Sequence, residues 1–494
     1  MNNQYPVIIV ISPLLSAFFV SIAGWLRRSL CFPISVGSLS LSSYSSIALL
    51  FKVLKDGDIL YRLGGWPPPW GIAYYVDRLN ALLLPVVSIV ALLNLIATKR
   101  SVEEEFSEKI GAFYTLYLLM VTGLLGIVIT GDAFNLYVLL EIASLSGYGL
   151  IAMGEDRAPL SALTYLYMGT IGACFYLLGI GYLYIVTGSL NMMDISKILP
   201  ALYGSKAVLT AFVICTVGLW LKMAFFPLHG WLPNAYTYAP SASSSLIAPL
   251  MTKVMIYVMI RLMFTVFTPE FTFKVLTVNR YIVWIAVVAI VAGAIMALSE
   301  RKLKMMLTYI IISEVGYMVG GIWLGNREGA IGAIFHIVND AFMTLCVFLV
   351  VGNIVYKMKG YGSPELKRLF SKMPFTMGAF VIGALSIIGV PPTCGFFSKW
   401  FLLLGAFKAR HYGFMIALIF SSLINVILFF RVMEEAYFEE GHLDENHSSH
   451  GIDEAPLSMV VPLLIVALAL VLIGISSGKI VEEIINQAIP GVIL

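Results

Sequence analysis

The chain has 494 residues, 60% of them hydrophobic and only 12% charged, with a mean hydropathy of +0.92. Soluble domains carry about 25% charged residues. Composition therefore excludes an ordinary soluble enzyme and leaves an all-α polytopic membrane protein with little room for a soluble domain. The net charge of +3 is spread over short loops and points to no nucleic-acid partner.

Apolar windows of about 20 residues mark membrane spans. In chain order they fall near 6–25, 32–52, 79–98, 111–130, 132–152, 159–187, 206–226, 242–268, 279–299, 303–325, 328–357, 374–407, 411–433 and 457–476. That predicts fourteen transmembrane helices, with both termini on one side. Met1–Trp25 lacks a basic leading segment, and Pro6–Trp25 is long enough to span, so it reads as a span and not as a cleavable signal peptide. Loops after odd-numbered helices carry thirteen Lys/Arg against eleven after even-numbered ones, which weakly favours both termini outside.

Residues 1–110 hold the first three helices and one interruption, DGDILYRLGGWPPPWGIAYYVDR. Gly64-Gly65 and Pro67-Pro68-Pro69 are turn formers between alternating aromatic and β-branched flanks, so a surface hairpin is expected near 57–78. Residues 111–268 and 279–433 hold five helices each, and 434–494 hold a polar loop, the last helix and a short tail. The polar stretch Glu434–Glu454 contains His442, His447 and His450. It reads as a solvated loop, because nothing there fixes metal ligands. The tail from Lys479 to Leu494 is too short for a long lateral brace across neighbouring subunits. Cys31, Cys174, Cys215, Cys346 and Cys394 are isolated. No iron–sulfur centre, disulfide or other cofactor is expected in this chain, and if it belongs to a redox machine the electron carriers sit on other subunits.

The charges inside predicted spans are few: Glu141, Lys222, Lys253, Arg261, Lys304, Glu314, Asp340 and Lys399, with Arg431 at a helix end and His336 as a further titratable group. Ionisable residues at membrane depth are costly and mark ion or proton paths. Arg261, Lys304 and Arg431 are equally readable as helix-end side chains that snorkel. Desolvation disfavours the charged form of a buried lysine, and a nearby carboxylate such as Glu141 restores it. A row of such groups joined by water passes protons without any cofactor.

Two helices are interrupted by proline among these charges. The first reads Lys222 … Pro227-Leu-His229-Gly-Trp231-Leu-Pro233, the second GVPPTCGFFSKW with Pro391, Pro392 and Lys399. Broken helices are tolerated at that depth where they line a cavity or pack on protein. The two lysines lie 399 − 222 = 177 positions apart and the acids Glu141 and Glu314 lie 314 − 141 = 173 apart. Lys253 moved by 177 falls beside Arg431. Helices 4–8 and 9–13 are thus expected to be two inverted five-helix repeats, each with a broken helix.

At these residues the chain resembles the antiporter-like subunits: the three large proton-pumping membrane subunits of complex I and the D-type member of Mrp-type Na⁺/H⁺ antiporters. The matching stretches are LKMAFFPLHGWLPNAY, GDAFNLYVLLEIASLSGY, MTKVMIYVMIR, LKMMLTYIIISEVGYM and GVPPTCGFFSKW, in order across about residues 60–435. LGGWPPPWGI and the short tail favour the Mrp D type. The H-type subunits of membrane-bound hydrogenases and sulfur reductases fit equally well.

The resemblance implies a proton-translocating subunit of a multisubunit complex in a prokaryotic plasma membrane. Glu141 would be the essential acid facing a neighbouring subunit, and Lys222 its ion-pair partner and central carrier. Lys253 and His336 would relay, and Lys399 would exchange protons with one side. His229, Lys304, Glu314 and Asp340 are secondary candidates.

One stretch departs from the family's His-x-x-x-His-Ala-x-x-Lys. Here His336 is followed by Asp340 and Thr344. Asp340 and Glu314 offer oxygens to Na⁺, or Asp340 pairs with Lys304 or Lys399. Two other classes stay open: a self-standing transporter of a small solute, and a structural subunit with vestigial charges.

Overall fold

A few helix starts are fixed by side-chain caps. In this computed structural model, which describes residues 4–358, 369–437 and 452–491, the elements run α1 (Tyr5–Leu26), α2 (Cys31–Asp56), β1 (Ile59–Arg62), β2 (Ala73–Val76) and α3 (Arg78–Ala97). Next come α4 (Ile110–Ile129), α5 (Ala133–Ala152), α6 (Ala158–Thr187), α7 (Lys206–Lys222), α8 (Leu232–Tyr238) and α9 (Ser241–Arg261). Then follow α10 (Asn279–Ser299), α11 (Leu303–Trp323), α12 (Arg327–Met358), α13 (Pro374–Ile388), α14 (Cys394–Lys408), α15 (Tyr412–Tyr437) and α16 (Leu457–Ile475), with short helical turns between. Asp77 starts α3 with a reciprocal capping box to Asn80. Asp132 starts α5 by accepting from the amides of Phe134 and Asn135. The expected hairpin forms, β1 and β2 pairing antiparallel with Ile59 opposite Val76.

Twelve helices among the described residues are long and apolar enough to cross a membrane. The two expected spans outside that set are the interrupted ones. Where sequence predicts one helix over 206–226, α7 ends at Lys222, and a loop leads to α8. Pro227 supplies no amide to continue the ladder. Where sequence predicts one helix over 374–407, α13 and α14 are separate halves around Gly389–Thr393. Gly389 takes the left-handed φ of +94° that closes α13. Gly395 is needed just after the break, because a Cβ there would lie 1.9 Å from the Ser386 carbonyl oxygen.

The five helices of each expected repeat start at matching places: residues 110 and 279, 133 and 303, 158 and 327, 206 and 374, 241 and 412. The displacements are 169, 170, 169, 168 and 171, so the element register is about 170 and not 177. Neighbour relations also match. α4 packs on α5, α5 on α6, α6 on broken α7, and α9 back on α4. In parallel, α10 packs on α11, α11 on α12, α12 on the broken α13/α14, and α15 back on α10.

The charge offsets do not follow this register, which corrects the pairing drawn from sequence. Lys222 closes the half-helix before its break, while Lys399 lies in the half-helix after its own. Arg431 is no counterpart of Lys253. It reaches the carbonyls of Leu298 and Glu300 at the end of α10, whereas Lys253 is buried within α9.

The two five-helix groups meet at α9 and α12, whose membrane-length windows are wholly buried. A helix apolar all round belongs in such a core. By contrast α1, α6, α10, α15 and α16 present exposed apolar residues such as Phe18, Ile185, Trp284, Leu423 and Leu468. His442, His447 and His450 lie outside the described residues. The C-terminal end of that polar stretch docks on the body: Asp453 pairs with Lys357, and Glu454 accepts from the amides of Phe375 and Thr376 at the start of α13.

Candidate proton-path site

Lys222 is the last residue of α7, where the chain must leave the helix. Its side chain is 1% exposed, and Nζ donates to Ser144 Oγ at 2.7 Å. Glu141 Oε1 lies 3.8 Å away, at ion-pair range but beyond a hydrogen bond. Glu141 and Ser144 are three residues apart on α5 and so face the same way. Glu141 is 22% exposed, which opens this end of the pair toward the protein surface. Trp231 closes the break from the other side, with Nε1 donating to the Leu221 carbonyl and its ring stacked on Tyr165.

Lys253 sits where α9 meets α12. Its ammonium lies 2.9 Å from Asp340 Oδ2, with both side chains at 3% exposure or less. It also donates to Ala248 O and Thr344 Oγ1, and Thr344 donates to Asp340 Oδ1 at 2.6 Å. Asp340 therefore pairs with neither Lys304 nor Lys399. The carboxyl groups of Glu314 and Asp340 stand within hydrogen-bond reach of each other. The two acids do stand together, as the sodium expectation requires, but a lysine ammonium already sits against them. Among the described residues no cluster of three or more His, Cys, Asp or Glu is placed to hold a metal.

His336, one turn before Asp340 on α12, is fully buried. Its Nδ1 is 2.9 Å from Ser398 Oγ, and its Nε2 has no partner among the described residues. Lys399, next to Ser398 on α14, reaches back across the break. It donates to the carbonyls of Ile387 and Ile388 and to Ser422 Oγ. Those carbonyls end α13, where a helix leaves acceptors unsatisfied and favours a cation. An open cavity of about 290 Å³ lies beside Lys399, lined by Ile388, Gly389, Phe396, Ser422 and Leu423.

The secondary candidates separate. Lys304 donates to the Ala239 carbonyl at 2.6 Å, just past the end of α8, so it closes a half-helix. His229 is half-buried in the first break, stacked on Phe226, with Nδ1 unpartnered among the described residues. Arg261 does not snorkel. It holds Asp77 through two hydrogen bonds of 2.5 and 2.9 Å. Ser144, Ser398, Tyr317 and Ser422 are site residues that the sequence pattern does not mark. Ser144 and Ser398 were findable, since one lies three residues from Glu141 and the other beside Lys399. Tyr317 lies three residues from Glu314 on α11, and Ser422 comes from a distant segment.

With this geometry in place, comparisons locate the chain among known proteins. Residues 130–425 match the family described as NADH:quinone oxidoreductase/Mrp antiporter, TM, and the chain belongs to that family. It is 40% identical to the N-type subunit of NADH-quinone oxidoreductase from Desulforudis audaxviator, across 99% of each chain. It is 29% identical to the D-type subunit of the Na⁺/H⁺ antiporter from Alkalihalophilus pseudofirmus, over 96% of this chain and 94% of that one. Names from both parent complexes thus occur among its relatives.

Among solved structures, it matches a chain of the archaeal membrane-bound sulfane sulfur reductase, a respiratory membrane complex, with a TM-score of 0.89 and 26% identity over 98% of this chain and 97% of the other. A chain of the Mrp complex from Dietzia sp. shares the fold, with a TM-score of 0.87 at 20% identity over 99% and 97% of the two chains. The protein is a multi-pass membrane protein of this fold.

Proposed function

We propose that the chain is a proton-translocating subunit of a multisubunit membrane complex, in which protons move laterally from Glu141 and Lys222, through Lys253 with Asp340 and His336, to Lys399. The observation that carries this reading is the buried Lys253–Asp340 pair at the contact of the two five-helix groups, with one buried lysine at the break in each group. Such residues in a dry span are retained for ion or proton movement. Each also has a neighbour able to exchange a proton or anchor a water.

Several buried hydroxyls lack partners among the described residues: those of Tyr148, Tyr165, Tyr236 and Thr252. Buried polar groups are ordinarily satisfied by protein or ordered water, so water between them supplies continuity from Lys222 toward Lys253. The open end at Glu141 is where a neighbouring membrane subunit packs, and the cavity beside Lys399 is where protons leave. In this reading each broken helix counts as one span, giving fourteen, the two five-helix groups are inverted repeats, and the host is the prokaryotic plasma membrane. Redox cofactors, where the parent complex has them, sit on other subunits.

The test is coupled ion transport in reconstituted vesicles. Lys222→Ala is expected to abolish it and Glu141→Ala to damage it as severely, because an unpaired buried lysine does not hold its proton. Transport by Lys222→Ala at the wild-type rate would remove the relay.

A further inference from the structure

We infer that Glu314 and Asp340 share a single proton and form a proton-holding site beside Lys253. The inference deepens the relay reading and rests on it.

Three observations carry it. The first is charge. Two carboxyl groups and one ammonium are enclosed together, with Glu314 1% and Asp340 0% exposed. If both acids were ionised the cluster would hold a net charge of −1 in a dry region, which is costly. One shared proton makes it neutral.

The second is donors. Glu314 Oε1 accepts no hydrogen bond from any described group. Asp340 Oδ2 has only the Lys253 ammonium at 2.9 Å. A proton lying between two carboxyl groups within hydrogen-bond reach of each other gives Glu314 a partner among the described residues. The third is surroundings. Asp340 Oδ1 accepts from Thr344 and Oδ2 faces the Lys253 ammonium, so Asp340 is held on both oxygens while Glu314 is the acid short of a partner.

The titratable and hydroxyl groups around this site come from four elements: Lys253 from α9, Tyr317 from α11, His336 and Thr344 from α12, Lys399 from α14. Transfer into the site balances. An N–H bond of Lys253 breaks and an O–H bond forms on the pair, leaving a neutral amine and two protonated acids. The cluster is neutral before and after this transfer. One of those protons then passes toward His336, whose unpartnered Nε2 accepts it.

The stretch between Lys253 and Lys399 is thus not left to Thr344, which cannot carry charge. Asp340 and Glu314 together occupy the role that a second titratable base would fill.

Infrared difference spectra of the full-length chain, purified with the membrane subunits that accompany it, test this at neutral pH in sodium-free buffer. The expected result is a protonated carboxylic-acid carbonyl band that moves on exchange into ²H₂O. Glu314→Gln removes it and Glu141→Gln leaves it. In vesicles, Glu314→Gln lowers transport about tenfold or more. Absence of the band in the wild type overturns the inference without recourse to any variant. So does a band that survives both Glu314→Gln and Asp340→Asn, or a wild-type band that NaCl abolishes, which would make the pair a cation site. If the band behaves as expected while Lys222→Ala still transports normally, the relay falls and the proton-holding pair stands.

Discussion

At the first lysine–carboxylate pair, Lys222 lies 3.8 Å from Glu141, which is 22% exposed, and its ammonium is hydrogen-bonded to Ser144. At the second, Lys253 lies 2.9 Å from a wholly enclosed Asp340, with Thr344 and the Ala248 carbonyl completing its shell. Coulomb attraction strengthens as distance and dielectric fall. The first pair is therefore the looser one, open to bias from outside the chain, while the second is locked into the core between the two helix groups. A relay that must respond to a neighbour at one end and conduct through its middle has reason to be built this way.

The largest effect should come from breaking the locked pair. Asp340→Leu removes the carboxylate that Lys253 meets at 2.9 Å and leaves only Glu314 facing the ammonium, at an expected loss of about 3–5 kcal/mol of stability, alongside loss of transport. Adding Lys253→Met should return most of the stability but none of the transport, measured by thermal unfolding and by vesicle assays on the same preparations. A double variant that stays as unstable as Asp340→Leu would show that the pair is not the source of the loss.

A smaller effect is expected at the Asp77–Arg261 pair, which is built on neither repeat's broken helix. Burial alone would raise the Asp77 carboxyl, but the Arg261 guanidinium and the amides of Asn80 and Leu79 outweigh it and hold the carboxyl below its usual range. A carboxyl lowered in the folded state contributes stability that is present above its unfolded value of about 3.9 and lost as pH falls through the folded value. Asp77→Asn should cost about 2–3 kcal/mol at neutral pH. The difference from wild type should shrink in acid unfolding experiments below about pH 4. A difference independent of pH would assign the loss to helix capping alone.

The smallest expected effect tests the looseness of the first pair. Ser144→Ala removes the hydrogen bond that places the Lys222 ammonium, worth about 1.5–3 kcal/mol for a charged donor. Transport should fall about tenfold, the lower end of that range converted to rate, and Ser144→Thr should rescue it. Unaltered transport in Ser144→Ala would mean that Glu141 positions Lys222 unaided across 3.8 Å.

The site was legible in sequence to the extent that cost was legible. Glu141, Lys222, Lys253, His336 and Lys399 stand out because each interrupts an apolar run. Partnership was not legible. Asp340 has four residues to Thr344 on its own helix but 340 − 253 = 87 to Lys253, and only packing of α9 on α12 selects that partner over Lys304 or Lys399. The offset of 177 failed for the same reason: it measured charges, which follow local need, and not helix starts, which follow the repeat.

Hydropathy was enough to put this chain in a membrane and to place its spans within a few residues, and prolines clustered beside buried lysines marked the two spans that break, although Pro13, Pro85, Pro249 and Pro462 sit inside unbroken helices. Both act on nearest neighbours and need no distant contact. Packing was required to bring Lys399 back against the half-helix before it, to seat Arg261 on Asp77, and to join Glu314 to Asp340 at Lys253. A buried charge is placed by whichever distant groups can satisfy it, and that choice is made when the helices pack.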